Sequence, residues 1–86
     1  MRRAAKQDAN AAELVEYARD RGMLVEYIGE PTDLLVFWKV WHVVEVKTED
    51  GDYTPEQRKF IKKTGRYGAP IRTWVSKEDI DRLILQ

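Results

Sequence analysis

Residues 33 to 47, DLLVFWKVWHVVEVK, constrain the fold more than any other part of this chain. The run reads as two β-strands with little between them. One strand opens at Asp33 and the other ends Glu45-Val46-Lys47. Strand side chains alternate between faces with period two, so Glu45 and Lys47 share one face and Val46 takes the other. An acid and a base therefore stand together at the end of an apolar strand, a pairing that suits a divalent metal beside a scissile phosphate.

Length and composition bound what can surround this hairpin. The chain has 86 residues, which predicts a single domain over 1–86. A domain of this size buries roughly 60% of its unfolded surface, so its core is marginal and dimerisation would relieve it. There is no cysteine, which excludes disulfides and thiolate metal sites and fits a reducing compartment, expected to be the cytoplasm. No apolar run reaches membrane-spanning length, and MRRAAKQDAN has no apolar stretch behind its arginines, so it does not read as a secretory signal. Fifteen basic and fifteen acidic residues cancel, which argues mildly against a nucleic-acid binder. Distribution counts for more than the sum: Arg58, Lys59, Lys62, Lys63, Arg66 and Arg72 crowd a segment holding one acid, Glu56.

The elements follow from pattern and punctuation. From about Ala4 to Arg21 the sequence is helical, with Ala11, Leu14, Val15 and Ala18 on one face and Gly22 placed to stop it. Met23 to Ile28, Asp33 to Trp38 and Trp41 to Lys47 read as three strands. Lys39-Val40 lacks the glycine or asparagine of a tight hairpin turn, which predicts looser strand ends there. Glu49-Asp50-Gly51-Asp52 reads as a turn, too short for an EF-hand calcium loop. Thr54-Pro55-Glu56-Gln57 is a strong helix start, with Thr54 as N-cap, Pro55 at the first helical position and Gln57 completing a capping box. That helix is expected to run to about Lys63 and end near Gly65. Ala69 to Val75 reads as a fourth strand, parallel to the third across a right-handed crossover. Ser76 to Asp79 then opens a last helix with Ile80, Leu83 and Ile84 as its buried stripe. The predicted order is α-β-β-β-α-β-α, an α/β chain with a mixed four-stranded sheet flanked by helices.

Phosphodiester cleavage needs charge neutralisation at the phosphate, a nucleophilic water and stabilisation of developing charge. Magnesium takes hard oxygen ligands and keeps several waters, so one or two carboxylates suffice. Asp33 and Glu45 on neighbouring strands can converge on one ion, the Val46 carbonyl can join them, and Lys47 reaches the same phosphate or the attacking water. By itself E-x-K is a weak signal, because any strand with one solvated face can carry a Glu and a Lys as a surface pair. Asp33 at the start of the preceding strand sharpens it. So does Gln57, which shares a helix face with Phe60, Ile61 and Thr64 and is expected to face the sheet. Gln57 either supports the site or only caps its helix.

The run DLLVF…HVVEVKTEDGDYTPEQRKFI resembles the VRR-Nuc family of the PD-(D/E)XK nuclease superfamily. The resemblance spans nearly the whole chain, and the T-P-E-Q box at its spacing after E-V-K is its most specific part. It implies a restriction-endonuclease-like core and a magnesium- or manganese-dependent DNA endonuclease of the stand-alone phage or prophage type. The implied substrate is branched or structured DNA such as a four-way junction, cut by a homodimer in replication or recombination. By the same resemblance Asp33, Glu45 and the Val46 carbonyl would bind metal, Lys47 would be the catalytic lysine, and Gln57 the supporting glutamine. The family's first-helix glutamate falls at Gln7, which is not a carboxylate, and Asp8 is the substitute. Many relatives have proline directly before the aspartate, where this chain has Pro31-Thr32-Asp33. The absent first-helix carboxylate and the neutral net charge keep a second reading open: a DNA-binding or assembly module without turnover.

The remaining residues divide between surface and core. Arg58, Lys59, Lys62, Lys63 and Arg66, with Arg72, form either a phosphate-backbone track or a solvated helix face. Arg2, Arg3 and Lys6 read as either a second contact or a fraying end, the latter favoured. His42 shares its strand face with Val44 and Val46, opposite Glu45, and is expected to pack rather than catalyse. Trp38, Trp41 and Trp74 could stack on bases, but strand aromatics are more often core or interface, and at least one is expected in a dimer contact.

Overall fold

The computed structural model describes residues 10–86. Its order is α1 (Ala11–Asp20), β1 (Leu24–Tyr27), β2 (Leu34–Trp38), β3 (Val40–Val46), α2 (Pro55–Arg66), β4 (Ile71–Trp74) and α3 (Lys77–Leu85). The four strands form one sheet in the order β1-β2-β3-β4, with β1–β2 and β2–β3 antiparallel and β3–β4 parallel. This is the predicted α-β-β-β-α-β-α arrangement with its mixed sheet.

Local chemistry sets the boundaries. At the end of α1 the N–H of Gly22 bonds to Arg19 and that of Met23 to Ala18, at 3.0 and 3.2 Å, a Schellman stop with Gly22 at φ 94°. The end of α2 repeats it one turn later than expected. Gly65 lies inside the helix, and Gly68 (φ 70°) makes the stop, with Ala69 N–H bonding to the Thr64 carbonyl at 3.0 Å. Gly65 carries no geometric demand of its own, so the glycine with a positive φ is the terminator. The capping box at Thr54 and Gln57 forms as expected. At α3 the Asp79 carboxylate accepts from the backbone N–H groups of Val75 (2.7 Å) and Ser76 (3.1 Å) and pairs with Arg82 at 2.6 Å. Burial pushes the Asp79 pKa up, but those backbone bonds and Arg82 outweigh it, and the carboxyl sits below its ordinary value.

The strands are shorter than their apolar runs. Asp33 precedes β2 and Lys47 follows β3, although the Lys47 N–H still bonds to the Trp74 carbonyl at 3.0 Å. The β2–β3 hairpin is tighter than expected: pairing persists to Trp38–Val40, and Lys39 alone makes the turn at φ 69°. A lysine there accepts the left-handed conformation at a cost that glycine or asparagine would lower.

The core lies on one face of the sheet, where α1 packs on β1 and α3, and α3 on β4. Leu14, Val15 and Ala18 of α1 and Ile80 and Leu83 of α3 close over Val25, Leu34, Val36, Val44, Val46 and Trp74, all buried. The second sheet face is covered incompletely. Helix α2 has no fully buried residue; Gln57, Phe60, Ile61 and Thr64 are half-buried. Leu24, Phe37 and Trp41 therefore stay exposed in one register row across β1, β2 and β3, with the Phe37 and Trp41 rings edge to face at 5.0 Å.

Candidate active site

The β2–β3 register brings the two acids together. Leu34 pairs with Val44, so Asp33 and Glu45 stand one step further along, across from one another. Residues directly opposite in an antiparallel pair put their side chains on the same face, close enough to interact. Asp33 is locked there by its own carboxylate: Oδ2 accepts the Val46 N–H at 2.8 Å. The Asp33 carbonyl accepts the N–H groups of Ile28 and Gly29, which ties the preceding loop to the same point. Thr32, the residue that separates Pro31 from Asp33, is buried and its hydroxyl bonds to the Leu34 carbonyl, so the extra residue is absorbed in the loop and Asp33 still reaches β3. A strand residue directs its N–H and C=O to the same edge, so the Val46 carbonyl turns toward Asp33 as well.

Alternation divides E-V-K as the pleat requires. Val46 is buried in the core, while Lys47 points to the other face, where its Nζ donates to Gln57 Oε1 at 2.8 Å. The same oxygen accepts the Thr54 N–H at 2.9 Å. Capping and the contact with Lys47 are thus one arrangement: the box that starts α2 also orients the amide oxygen toward Lys47.

Three residues that sequence reasoning missed join this end of the sheet. Tyr53, immediately before the N-cap, places its ring 5.5 Å from Lys47 Nζ and its hydroxyl on Thr73 Oγ1. Thr73 is the β4 partner of Glu45 in the parallel register. Asn10, just before α1, donates its Nδ2 to the carbonyls of Lys47 (3.1 Å) and Val75 (2.9 Å), bridging the ends of the two parallel strands. The available signals were an aromatic before a helix cap, a threonine in an apolar strand and an asparagine at a helix start. None of these is specific without the register.

The donor set suits a hard divalent cation. Asp33 and Glu45 supply carboxylates and Val46 a carbonyl, all oxygen, which magnesium or manganese accepts with waters completing the shell. Among the described residues no group of three or more His, Cys, Asp or Glu side chains could hold a metal, so the set rests on two carboxylates. Gln7 and Asp8, the first-helix candidates, lie outside the described residues, as do Arg2, Arg3 and Lys6.

The basic residues separate into two groups. Lys59, Lys62, Lys63 and Arg66 line one depression with Tyr67, which is exposed. Arg58 instead pairs with Asp52 at 2.8 Å. Arg72 does not join the track: its Nε donates to His42 Nδ1 at 3.0 Å and its Nη2 to Gln86 Oε1 at 2.9 Å. His42 Nε2 in turn lies 3.0 Å from the Trp38 carbonyl, so both ring nitrogens are occupied by structural bonds.

No family model matches the sequence, and no curated protein matches it significantly. Among solved structures, a VRR_NUC domain superposes with a TM-score of 0.72 at 27% identity, covering 92% of this chain and 98% of the other. The chain has the VRR-Nuc fold. That likeness supports a nuclease-type domain, and the resemblance carried by DLLVF and E-V-K…T-P-E-Q extends to the arrangement of helices and strands. Within that VRR-Nuc arrangement the acids and the lysine occupy the end of the β2–β3 hairpin, where α2 begins.

Proposed function

We propose that this domain, 1–86, is a magnesium- or manganese-dependent DNA endonuclease. The observation that carries the reading is the bond from Val46 N–H to Asp33 Oδ2, which fixes the hairpin's first carboxylate on the E-V-K strand end. Asp33, Glu45 and the Val46 carbonyl would hold the metal, with Gln7 or Asp8 as a further candidate ligand. A bound divalent cation supplies charge neutralisation at the phosphate and a lowered pKa for the attacking water. Lys47 orients that water and offers its ammonium to the charge developing on the phosphoryl oxygens. Gln57 holds the long lysine stem in place, which limits the rotamers that a flexible ammonium would otherwise sample. Water adds across the P–O3′ bond: its oxygen joins phosphorus and a proton reaches the 3′-oxygen, leaving a 5′-phosphate and a 3′-hydroxyl.

The proposed substrate is branched or structured DNA, such as a four-way junction, handled in phage-type replication or recombination in a bacterial cytoplasm. Lys59, Lys62, Lys63 and Arg66 form the proposed phosphate track, with Arg58 at its edge. The active species is proposed to be a homodimer, two sites suiting a two-fold-symmetric substrate. The exposed row Leu24, Phe37 and Trp41 supports this, since contiguous apolar surface favours a covering partner. No helix among the described residues is long and apolar enough to cross a membrane.

The test is cleavage of labelled junction, flap and duplex DNA by the purified protein with magnesium or manganese, beside Lys47→Ala. Metal-dependent cutting by the wild type and its loss in Lys47→Ala supports the proposal. Equal, metal-insensitive background from both proteins, with DNA binding retained, establishes the second reading, a binding or assembly module, which the two-carboxylate donor set favours.

A further inference from the structure

We propose that Tyr53 is a positioning residue for Lys47, anchored by Thr73. The proposal rests on the reading of Lys47 as the catalytic lysine. Asp52 ties Tyr53 to the helix that follows it. Asp52 Oδ1 accepts the Tyr53 N–H at 2.8 Å, and Asp52 Oδ2 takes the Arg58 guanidinium of α2 at 2.8 Å. The backbone of Tyr53 is thus fixed to the first turn of the helix that also presents Gln57.

From that point the side chain spans two strands. Its hydroxyl meets Thr73 Oγ1 on β4, and its ring lies 5.5 Å from the Lys47 ammonium at the end of β3. Thr73 pairs with buried Glu45, so the ring crosses the site between the glutamate's neighbour and the lysine. A cation within about 6 Å of a ring centroid is attracted by the negative face of the ring. Lys47 is therefore held from two directions, by the Gln57 oxygen and by the Tyr53 ring. The Tyr53–Thr73 bond sets the ring's orientation, and a freely turning ring would hold the ammonium less well. A hydrophobic residue immediately before a helix cap often packs on a hydrophobic fourth helical residue as a staple. Here that residue is Arg58, committed to Asp52, and the tyrosine is free to serve the site.

The experiment combines a metal-free spectroscopic readout with kinetics. In the metal-free protein, the Lys47 ε-methylene proton resonances are expected upfield of free lysine in the wild type and Tyr53→Phe, and at the free-lysine position in Tyr53→Leu. Tyr53→Leu is expected to lower kcat on the order of tenfold, with DNA affinity in metal-free buffer unchanged. Tyr53→Phe and Thr73→Val lower kcat by less, and Thr73→Ser, which keeps the hydroxyl, restores it. Should Tyr53→Leu fail to fold, the wild-type resonance decides the ring contact, and wild-type turnover in both Tyr53→Phe and Thr73→Val overturns the anchoring by Thr73. An unshifted Lys47 resonance in the wild type, or wild-type turnover in Tyr53→Leu, overturns the proposal. So does a loss of DNA affinity matching the loss of kcat, which would make Tyr53 a DNA contact instead. If the wild type cuts no DNA, the nuclease reading fails, and the Tyr53–Lys47 contact is still decided by the resonance shift.

Discussion

The amide oxygen of Gln57 stands 2.8 Å from Lys47 Nζ and 2.9 Å from the Thr54 backbone nitrogen, so one atom closes a helix cap and holds an ammonium. On the proposed function, stability and turnover are expected to be coupled through it. Gln57→Ala removes half of the capping box and is expected to destabilise by about 1 kcal/mol in urea denaturation. It also frees Lys47, and cleavage is expected to fall on the order of tenfold or more. Gln57→Glu keeps an acceptor for both donors and is expected to retain the stability. If Gln57→Ala loses stability and cuts as well as the wild type, the glutamine serves the cap alone.

Asp33→Asn separates the structural from the metal-binding use of one side chain. An asparagine Oδ1 can still accept the Val46 N–H, so the hairpin and its thermal stability are expected to persist. The negative charge is removed, and manganese affinity, followed by calorimetry on the DNA-free protein, is expected to fall at least about tenfold. Unchanged manganese binding by folded Asp33→Asn would remove Asp33 from the ligand set.

Much of this arrangement is legible in the sequence. Period-two alternation separates Val46 from Glu45 and Lys47, and the capping box locates the start of α2 to the residue. The rest has particular causes. Gly65 and Gly68 are both plausible stops from composition, and only the backbone angle at Gly68 separates them. Gln57 reads as either cap or site support because a one-dimensional pattern does not show that one oxygen can accept two donors. Tyr53 and Thr73 are twenty residues apart and meet only through the parallel β3–β4 register. Arg72 lies in a basic segment, but strand alternation turns it away from the α2 cations and toward His42.

Acid stability has an identifiable contributor in Asp79. Its folded pKa is lowered, so the ionised carboxylate binds its partners more strongly than the protonated form does. Its contribution is therefore present above the unfolded value of about 3.9 and is lost as pH falls through the folded value. Asp79→Asn is expected to lower the urea midpoint at about pH 6, and the gap to wild type is expected to narrow toward about pH 3. A gap independent of pH would place the effect in packing and not in the charge.

The depression lined by Lys59, Lys62, Lys63 and Arg66 makes a quantitative claim about DNA binding. Neutralising a phosphate releases condensed counterions, and log Kd against log salt concentration changes slope by about 0.9 for each phosphate neutralised on duplex DNA. Replacing Lys59, Lys62 and Lys63 together by glutamine is expected to flatten the slope by about one unit for each phosphate that is no longer neutralised. Arg72→Gln, whose guanidinium is held by His42 and Gln86, is expected to leave the slope unchanged. Should the triple variant keep the wild-type slope, the DNA runs elsewhere.

The row of Leu24, Phe37 and Trp41 predicts the oligomeric state. These side chains are 48%, 39% and 55% exposed and lie in register across three strands, on the face that α2 covers only in part. A β-sheet face of this kind is stabilised by burial, at about 25 cal/mol for each Å² of apolar surface removed from water. A second copy presenting the same row would satisfy both faces through a two-fold axis. Sedimentation equilibrium is expected to show a dimer for the wild type and a monomer for Trp41→Glu, whose exposed position leaves the monomer's core intact. The circular dichroism of the two proteins is expected to coincide. A monomeric wild type would exclude the dimer, and a Trp41→Glu variant that still dimerises would move the interface to another surface.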